Sequence, residues 1–520
     1  MSHDAPVYPT PESMSALLDE RAHARGDATY VFELRGPRTI TYGGLGARAR
    51  SWRSVLNDCG IEEGARIGLL VSDPLDFSEA FIGLLAAGMW VAPLDPTVAL
   101  TSDEQLRQRT ANFDLELIVS DRSAPNDASV RWHDMYACAT PHSTSVAPLG
   151  PLGPLGEAHG GGLLLASSGT TGTPKVMALG VAQLLCAATL IANHNGLSPD
   201  ERGLSPLPLW HVNAEVVGLL ATLVGGASLA LDDRFHRTGF WSHVESHAIT
   251  WINAVPAIIS RLIVLNEEET VPSRVRFIRS ASAPLAPALL QQFEAATGIA
   301  VIESYGMTEA ASQICANPFD GNKKAGSVGR AVGVQVRVRS IDDPGHNAKA
   351  FEVGNVEIKG PSVIDHYEAS GYEDRFDESG FLRTGDLGYL DDEDFLFLVG
   401  RSDDVINRGG EKIFPREIEE SILGLATVVS CAVVGVSHDV YGQVPVLYVQ
   451  LAEVDASTPT GDITIAVKQL HDVLVSSFAR TRRPVSINVV EHFPAHATGK
   501  IQKRFLATGS VRVIYEQLVA

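Results

Sequence analysis

The sequence predicts an α/β protein: a large N-terminal domain of layered α/β subdomains with a β-rich subdomain, then a small C-terminal α+β domain. Three observations predict it. Strand-like apolar runs alternate with helix-like runs over short links. The stretch 326–400 is rich in Val and Gly and alternates with period two, as in VGVQVRVRS and GNVEIKG. After Gly400 a charged run, RSDD, precedes a unit with a helix and strands of its own (EIEESILGL, VSCAVVGVS, VPVLYVQLA). A chain of 520 residues also exceeds what one hydrophobic core serves. The expected domains are 1–401 and 402–520.

From the N-terminus, TITY at Thr39 reads as a strand leading into a helix. ARIGLLVS at Ala65 reads as a buried strand, and the run around Phe77–Gly88 as an apolar helix. Residues 146–162, VAPLGPLGPLGEAHGGG, hold too little side chain for a core and read as a surface link with a PLG repeat. A second α/β stretch follows from Leu163 to about Ile302. No long-period repeat is present.

Composition narrows the function classes. Apolar residues at 45% and charged residues at 20% are ordinary for a globular protein. The formal net charge is −21 and no Lys/Arg block stands against it, which disfavours nucleic acid as a partner. Cys59, Cys138, Cys186, Cys315 and Cys431 are far apart with no C-x-x-C pair, so neither a zinc site nor a disulfide framework is indicated. The N-terminus lacks a basic-then-apolar leader pattern, and no apolar run reaches 18 residues. A cytoplasmic enzyme without a membrane partner is the expectation.

The strongest local motif follows the strand GLLLAS: Ser167, Ser168, Gly169, Thr170, Thr171, Gly172, Thr173, Pro174, Lys175. Two glycines free backbone N–H groups to face an anion, hydroxyls add donors, and Lys175 adds a charge. The composition suits a polyphosphate, although it is not a Walker A loop; a Ser/Thr/Gly hairpin is the plainer alternative. An acidic protein that binds a polyphosphate must gather its few cations in one place, which tests any proposed site. Gly44-Leu45-Gly46-Ala47-Arg48-Ala49 resembles a dinucleotide turn, but its strand is short and polar and no acidic residue follows at the right distance. It is set aside.

Four further motifs carry candidates. Pro206-Leu207-Pro208-Leu209-Trp210-His211-Val212-Asn213 ends a strand and leaves His211 at the start of a helix-like run. Glu303-Ser304-Tyr305-Gly306-Met307-Thr308-Glu309 follows the strand GIAVI. There Tyr305 beside a glycine can stack on a base, Thr308 can bond a phosphate oxygen, and Glu309 can ligate Mg²⁺. Arg383-Thr384-Gly385-Asp386 reads as a tight turn whose carboxylate can accept both ribose hydroxyls. Near the C-terminus, Lys500 after Gly499 can reach into a cleft. Each also has a structural reading as a turn or a solvated face.

Together, in this order and spacing, the motifs resemble the adenylate-forming superfamily of acyl-CoA synthetases, peptide-synthetase adenylation domains and beetle luciferases. RSASAPL, ESYGMTEAAS, GSVGR and INRGGEKIFPREIEE read most like oxalate- and carnitine-type acid–CoA ligases. The resemblance implies ATP and Mg²⁺, a carboxylic acid substrate and coenzyme A as acceptor. It implies that Ser167 to Lys175 hold the β- and γ-phosphates and that Tyr305 stacks on adenine. Gly306 and Thr308 would then sit beside the α-phosphate, with Glu309 on Mg²⁺, Asp386 on the ribose and Arg401 supporting ribose and phosphate. His211 would stand between carboxylate and thiol channel. Asp403 would be the hinge of a mobile lid, Gly409 and Gly410 would line the pantetheine tunnel, and Lys500 would act in the first half-reaction. Asn213, Ser280, Ala281, Ser282 and Tyr305 would line the acyl pocket. Asn213 hints at a polar acid, and Arg279 either pairs a second carboxylate or is a strand-end surface residue.

A carboxylate attacking the α-phosphate brings anion to anion, so Lys500, Mg²⁺ and loop donors would offset the repulsion. An amide ligase, in which an amine attacks the adenylate, shares every first-step residue and stays open. A non-catalytic nucleotide-binding regulator would be expected to lack Lys500 or Glu309, and both are present. No residue distinguishes a luciferase-like oxygenase. A serine hydrolase would need a G-x-S-x-G turn, which is absent.

Overall fold

The structure is a computed structural model that describes residues 8–97, 104, 107, 110–124, 130–135, 160–167, 175–263, 270–368, 371–425, 427–452, 454, 458–494, 501–509 and 511–519. Two mixed sheets build the first half. One runs in the order Arg131–Asp134, Leu117–Ser120, Arg66–Leu70, Trp90–Pro93, Gly162–Ser167, Lys175–Gly180, parallel except for the last pair. The other runs Arg330–Ala331, Cys315–Ala316, Ala300–Tyr305, Phe277–Ser280, Trp251–Ala254, Arg202–Ser205, Ser228–Leu231, Thr29–Glu33, Thr39–Thr41. Its five central pairings, from Ala300–Tyr305 across to Thr29–Glu33, are parallel. The expected α/β layers are present.

Local sequence explains the helices between the sheets. Pro74–Ala86 starts on Asp73, whose carboxylate accepts from the N–H groups of Leu75 and Asp76, with Pro74 pre-set at the first position. All its later residues are buried, as its apolar composition requires of a helix between two layers. Val181–Asn195 ends on Gly196 at φ +61°, where a left-handed cap suits glycine. Gly44 to Ala49 lie inside the helix Tyr42–Asp58, so that segment is no nucleotide turn.

The β-rich stretch is an antiparallel sheet, Gln335–Ser340, Gly354–Lys359, Leu382–Leu390, Leu396–Arg401. One large buried cluster extends from Met14 to Leu396. A separate one runs from Ile406 to Val489, built by Pro415–Leu423, Thr460–Ser477 and the strands Val428–His438, Gly442–Leu451 and Ser486–Val490. Between them lies the single turn Ser402–Asp404. Cys59, Cys186, Cys315 and Cys431 are free thiols. Among the described residues no helix is long and apolar enough to cross a membrane.

Candidate active site

Ser167 and Lys175 face each other across the antiparallel pair Gly162–Ser167 and Lys175–Gly180. The strand register therefore fixes both ends of the Ser/Thr/Gly loop. Ser168, Gly169, Thr170, Thr171, Gly172 and Thr173 lie outside the described residues. Lys175 Nζ stands 4.8 Å from the Tyr372 ring centre and 5.8 Å from that of Tyr367. The Tyr367 hydroxyl donates to Glu309 Oε1 at 3.0 Å. Burial raises the Tyr367 phenol, and the Glu309 carboxylate raises it further. Glu309 is buried in the turn Thr308–Ala310 and has its second oxygen outside that hydrogen bond.

Sequence reasoning missed Arg375. A Cβ built on Gly385 would lie 2.8 Å from Arg401 Nη2 and 3.4 Å from Arg375 Nη2, so the two guanidinium groups converge on one point. Arg375 Nε is buried without a partner, and among the described residues no carboxylate pairs with Arg375. Lys175 feels both arginines: burial lowers its ammonium, Arg375 and Arg401 lower it further, and Glu309 and Asp403 oppose them. Three cations thus gather in a protein of net charge −21. That is the concentration a polyphosphate site requires, and Glu309, a buried carboxylate on the Lys175 side, suits a divalent cation. The composition of Tyr372-Glu373-Asp374-Arg375 gave no signal of this; the chain brings Arg375 in from a surface turn.

Asp386 is not in the tight turn its sequence suggests. It lies inside the strand Leu382–Leu390, where the pairing slips between Glu357–Arg383 and Asn355–Leu387. Thr384, Gly385 and Asp386 therefore bulge opposite Val356, with Gly385 at φ +80° and the Thr384 hydroxyl donating to the Val356 carbonyl at 2.8 Å. The bulge aims Asp386 at two partners. Its Oδ2 accepts from the Tyr305 hydroxyl, and its Oδ1 faces Arg401 Nη1 at 3.3 Å. Burial alone would lower the Arg401 guanidinium; Asp386, then Tyr305, Asp403 and Asp404, more than offset it and hold it up. Gly306 is explained by close approach: a Cβ there would lie 1.2 Å from the Ser312 carbonyl oxygen.

A second polar cluster lies on the large sheet. Asn213, at the start of the π-helix Asn213–Leu220, donates from Nδ2 to Ser282 Oγ at 3.1 Å. Ser282 holds φ +72°, a left-handed conformation uncommon outside glycine. Arg279, on Phe277–Ser280, is 1% exposed, which rules out the surface reading. Its Nη1 donates to Asn213 Oδ1 at 3.1 Å and to Asn253 Oδ1 at 3.5 Å, and its Nη2 to Gln313 Oε1 at 3.3 Å. Asn253 and Gln313 were also missed. A lone Asn inside the apolar strand TWINA was the available signal. Ser280 is fully buried in the same strand, with Ala281 next to it. His211 stands two residues before Asn213, and its carbonyl accepts from the Ala214 N–H at 2.9 Å.

Toward the C-terminus, Asp403 is exposed in the turn Ser402–Asp404. Gly409 and Gly410, at φ +60° and +92°, form the two-residue link between Ile406–Arg408 and Glu411–Ile413. Both positive φ values are what such a hairpin demands, so the turn by itself accounts for these glycines. Lys500 lies outside the described residues.

Comparison with known proteins identifies a family. The profile of the family described as "AMP-binding enzyme" matches residues 18–368, and that of the "AMP-binding enzyme C-terminal domain" matches 417–500. The chain is 32% identical to sulfoacetate–CoA ligase of Cupriavidus necator over 95% of its own length and 97% of that protein. It is 30% identical to oxalate–CoA ligase of Arabidopsis thaliana, over 95% and 98% respectively. Among solved structures, an ATP-bound RpMatB–BxBclM chimera superposes with a TM-score of 0.83 at 25% identity, covering 96% of this chain and 98% of the other.

Proposed function

This chain belongs to the AMP-binding enzyme family, and from that premise we propose that it is an ATP-dependent acid–CoA ligase. In the first step a carboxylate oxygen attacks the α-phosphorus of ATP, the α–β phosphoanhydride bond breaks and pyrophosphate leaves. In the second the coenzyme A thiolate attacks the acyl carbon, and AMP leaves carrying one oxygen of the acid.

The observation that carries the nucleotide reading is the convergence of Lys175, Arg375 and Arg401 beside Asp386 and Tyr305. Lys175 and Arg375 would face the β- and γ-phosphates at the mouth of the 168–174 loop. Asp386 would exchange its contacts with Tyr305 and Arg401 for ribose hydroxyls, leaving Tyr305 free to stack on adenine. Glu309 would hold Mg²⁺, which supplies charge neutralisation on the phosphates when bound. Thr308 would bond the α-phosphate beside Gly306. Lys500 would bridge carboxylate and α-phosphate, and His211, with Asn213, Ser280, Ala281 and Ser282, would border the acid.

The domain boundary belongs to the same proposal: residues 1–401 hold the nucleotide, and 402–520 form a lid that turns about Asp403 to bring Lys500 and the thiol path in succession. Separate buried clusters on either side of Ser402–Asp404 support it. Gly409 and Gly410 are offered as the pantetheine path on family resemblance, since their turn needs glycine in any case.

The relatives named as CoA ligases support the thiol as acceptor. Acid-dependent exchange of pyrophosphate into ATP, followed by loss of free CoA thiol, tests both steps separately. Exchange without thiol consumption, with AMP release accelerated by amines, would assign the amide-ligase chemistry and leave the first step standing.

A further inference from the structure

Arg279 is a guanidinium enclosed by protein that meets no anion among the described residues. It is 1% exposed, and among those residues its hydrogen bonds go to the neutral amide oxygens of Asn213, Asn253 and Gln313. Its Nε is buried without a partner, and so is the Gln313 amide nitrogen. Both unsatisfied groups can donate. His194 registers its charge and is basic: burial holds that imidazole down, and Arg279 lowers it further. Burial pushes Arg279 itself down to about 9, so it remains charged at neutral pH.

Proteins seldom leave a buried cation facing only neutral dipoles, because desolvation is then not repaid. A structural arginine would be given a carboxylate. Here the strand neighbours of Arg279 are Asn253 and Ile302, and neither is acidic. The cluster adjoins the acid-binding region: Asn213, which Arg279 holds, bonds Ser282 on one side and follows His211 by two residues on the other.

We propose that Arg279, with Gln313, is the anchor for a second anionic group on the acid, so that the substrate is a short acid bearing a distal carboxylate or sulfonate. This rests on the acid-activating reading above. Asn213 and Asn253 orient the guanidinium by accepting from it, and their own neutrality leaves the charge for the substrate. A monoanionic acid of the same length would leave the cation unmet on binding, and a site of this kind rejects such analogues strongly.

The test compares kcat/KM in pyrophosphate exchange for malonate, succinate and sulfoacetate with those for the monomethyl esters of malonate and succinate. In the wild-type protein at least one dianion should exceed its monoanionic counterpart by about 100-fold or more; the carboxylate and sulfonate arms identify which group fits. Arg279→Met should bring that ratio close to one while leaving KM for ATP unchanged. Asn253→Asp should supply the missing charge internally, raising the unfolding temperature and abolishing use of the dianion, which keeps the idea testable if the Met variant fails to fold. Esters used as well as dianions by the wild-type protein would overturn the inference with adenylation intact. If no acid in the panel supports exchange, ligand-induced shifts in unfolding temperature decide it. Stabilisation by a dianion that is lost in Asn253→Asp upholds the anchor and refutes only the adenylation reading, whereas no stabilisation overturns the anchor.

Discussion

Replacing Arg375 with Met separates a built phosphate site from a chance meeting of cations. The substitution keeps most of the side-chain volume and removes the charge. In the free protein Arg375 pairs with no carboxylate among the described residues, and it stands against Lys175 and Arg401. Two like charges roughly 5 Å apart repel by about 3 kcal/mol at an effective dielectric near 20. Arg375 is only partly buried, so solvent reduces that repulsion, and the free variant should be as stable as the parent or slightly more so. With ATP the sign reverses. A hydrogen bond to a charged group contributes about 1.5–3 kcal/mol, and at about 1.4 kcal/mol per decade the dissociation constant for ATP should rise roughly 10- to 100-fold. Calorimetric titration with Mg·ATP, alongside unfolding temperatures with and without nucleotide, reads both signs. An unchanged ATP affinity, or a variant destabilised equally in both conditions, would refute the reasoning.

Three other outcomes follow from the same account. Lys500→Ala should reduce acid-dependent pyrophosphate exchange by orders of magnitude and spare thioester formation from supplied acyl-adenylate; equal loss in both assays would remove Lys500 from the first step. Asp403→Pro falls in a single exposed 3₁₀ turn, a conformation whose usual φ lies near the proline value, so the protein should fold. With the hinge stiffened, the two half-reactions should change unequally, and parallel changes would argue against rotation there. Burial raises the Glu303 carboxyl from 4.5 to about 7, against the opposing charge of Arg416 and the Leu285 N–H and with the help of Glu420. An acid raised on folding gives stability that is complete below pH 4.5 and lost as pH rises through 7. Glu303→Gln should remove that loss, gaining on the order of 3 kcal/mol at pH 8 and little at pH 4, as read from denaturant midpoints; a pH-independent difference would refute it.

Much of the fold was legible because it is written locally. ARIGLLVS, GIAVI and VGVQVRVRS became strands, and the apolar run around Phe77–Gly88 became the helix Pro74–Ala86, which starts earlier than its apolar pattern because Asp73 caps it. Strand order was not legible, since Thr29–Glu33 pairs with the distant Ser228–Leu231, and nothing local encodes such a partner. Asp386 shows the limit at finer scale. Arg-Thr-Gly-Asp has turn composition, yet a glycine at positive φ within a strand makes a bulge just as readily, and only the partner Val356 decides between them. Motif residues could be named from local composition and family resemblance, whereas Arg375, Asn253 and Gln313 stand outside any motif and reach the site by tertiary placement. Arg279 was visible as a charge in an apolar strand, but its burial, and hence its meaning, depends on the strands and helices packed around it.

The acyl-adenylate itself is tested most directly by isotope position. An acid labelled with ¹⁸O in both carboxylate oxygens should be turned over with ATP and coenzyme A, and the products analysed by mass spectrometry. The account predicts one ¹⁸O in AMP and one in the thioester carbonyl for each turnover, because the bond that breaks in the second step joins the acyl carbon to the labelled bridging oxygen. Label in inorganic phosphate with ADP as co-product, or AMP formed without label, would contradict it.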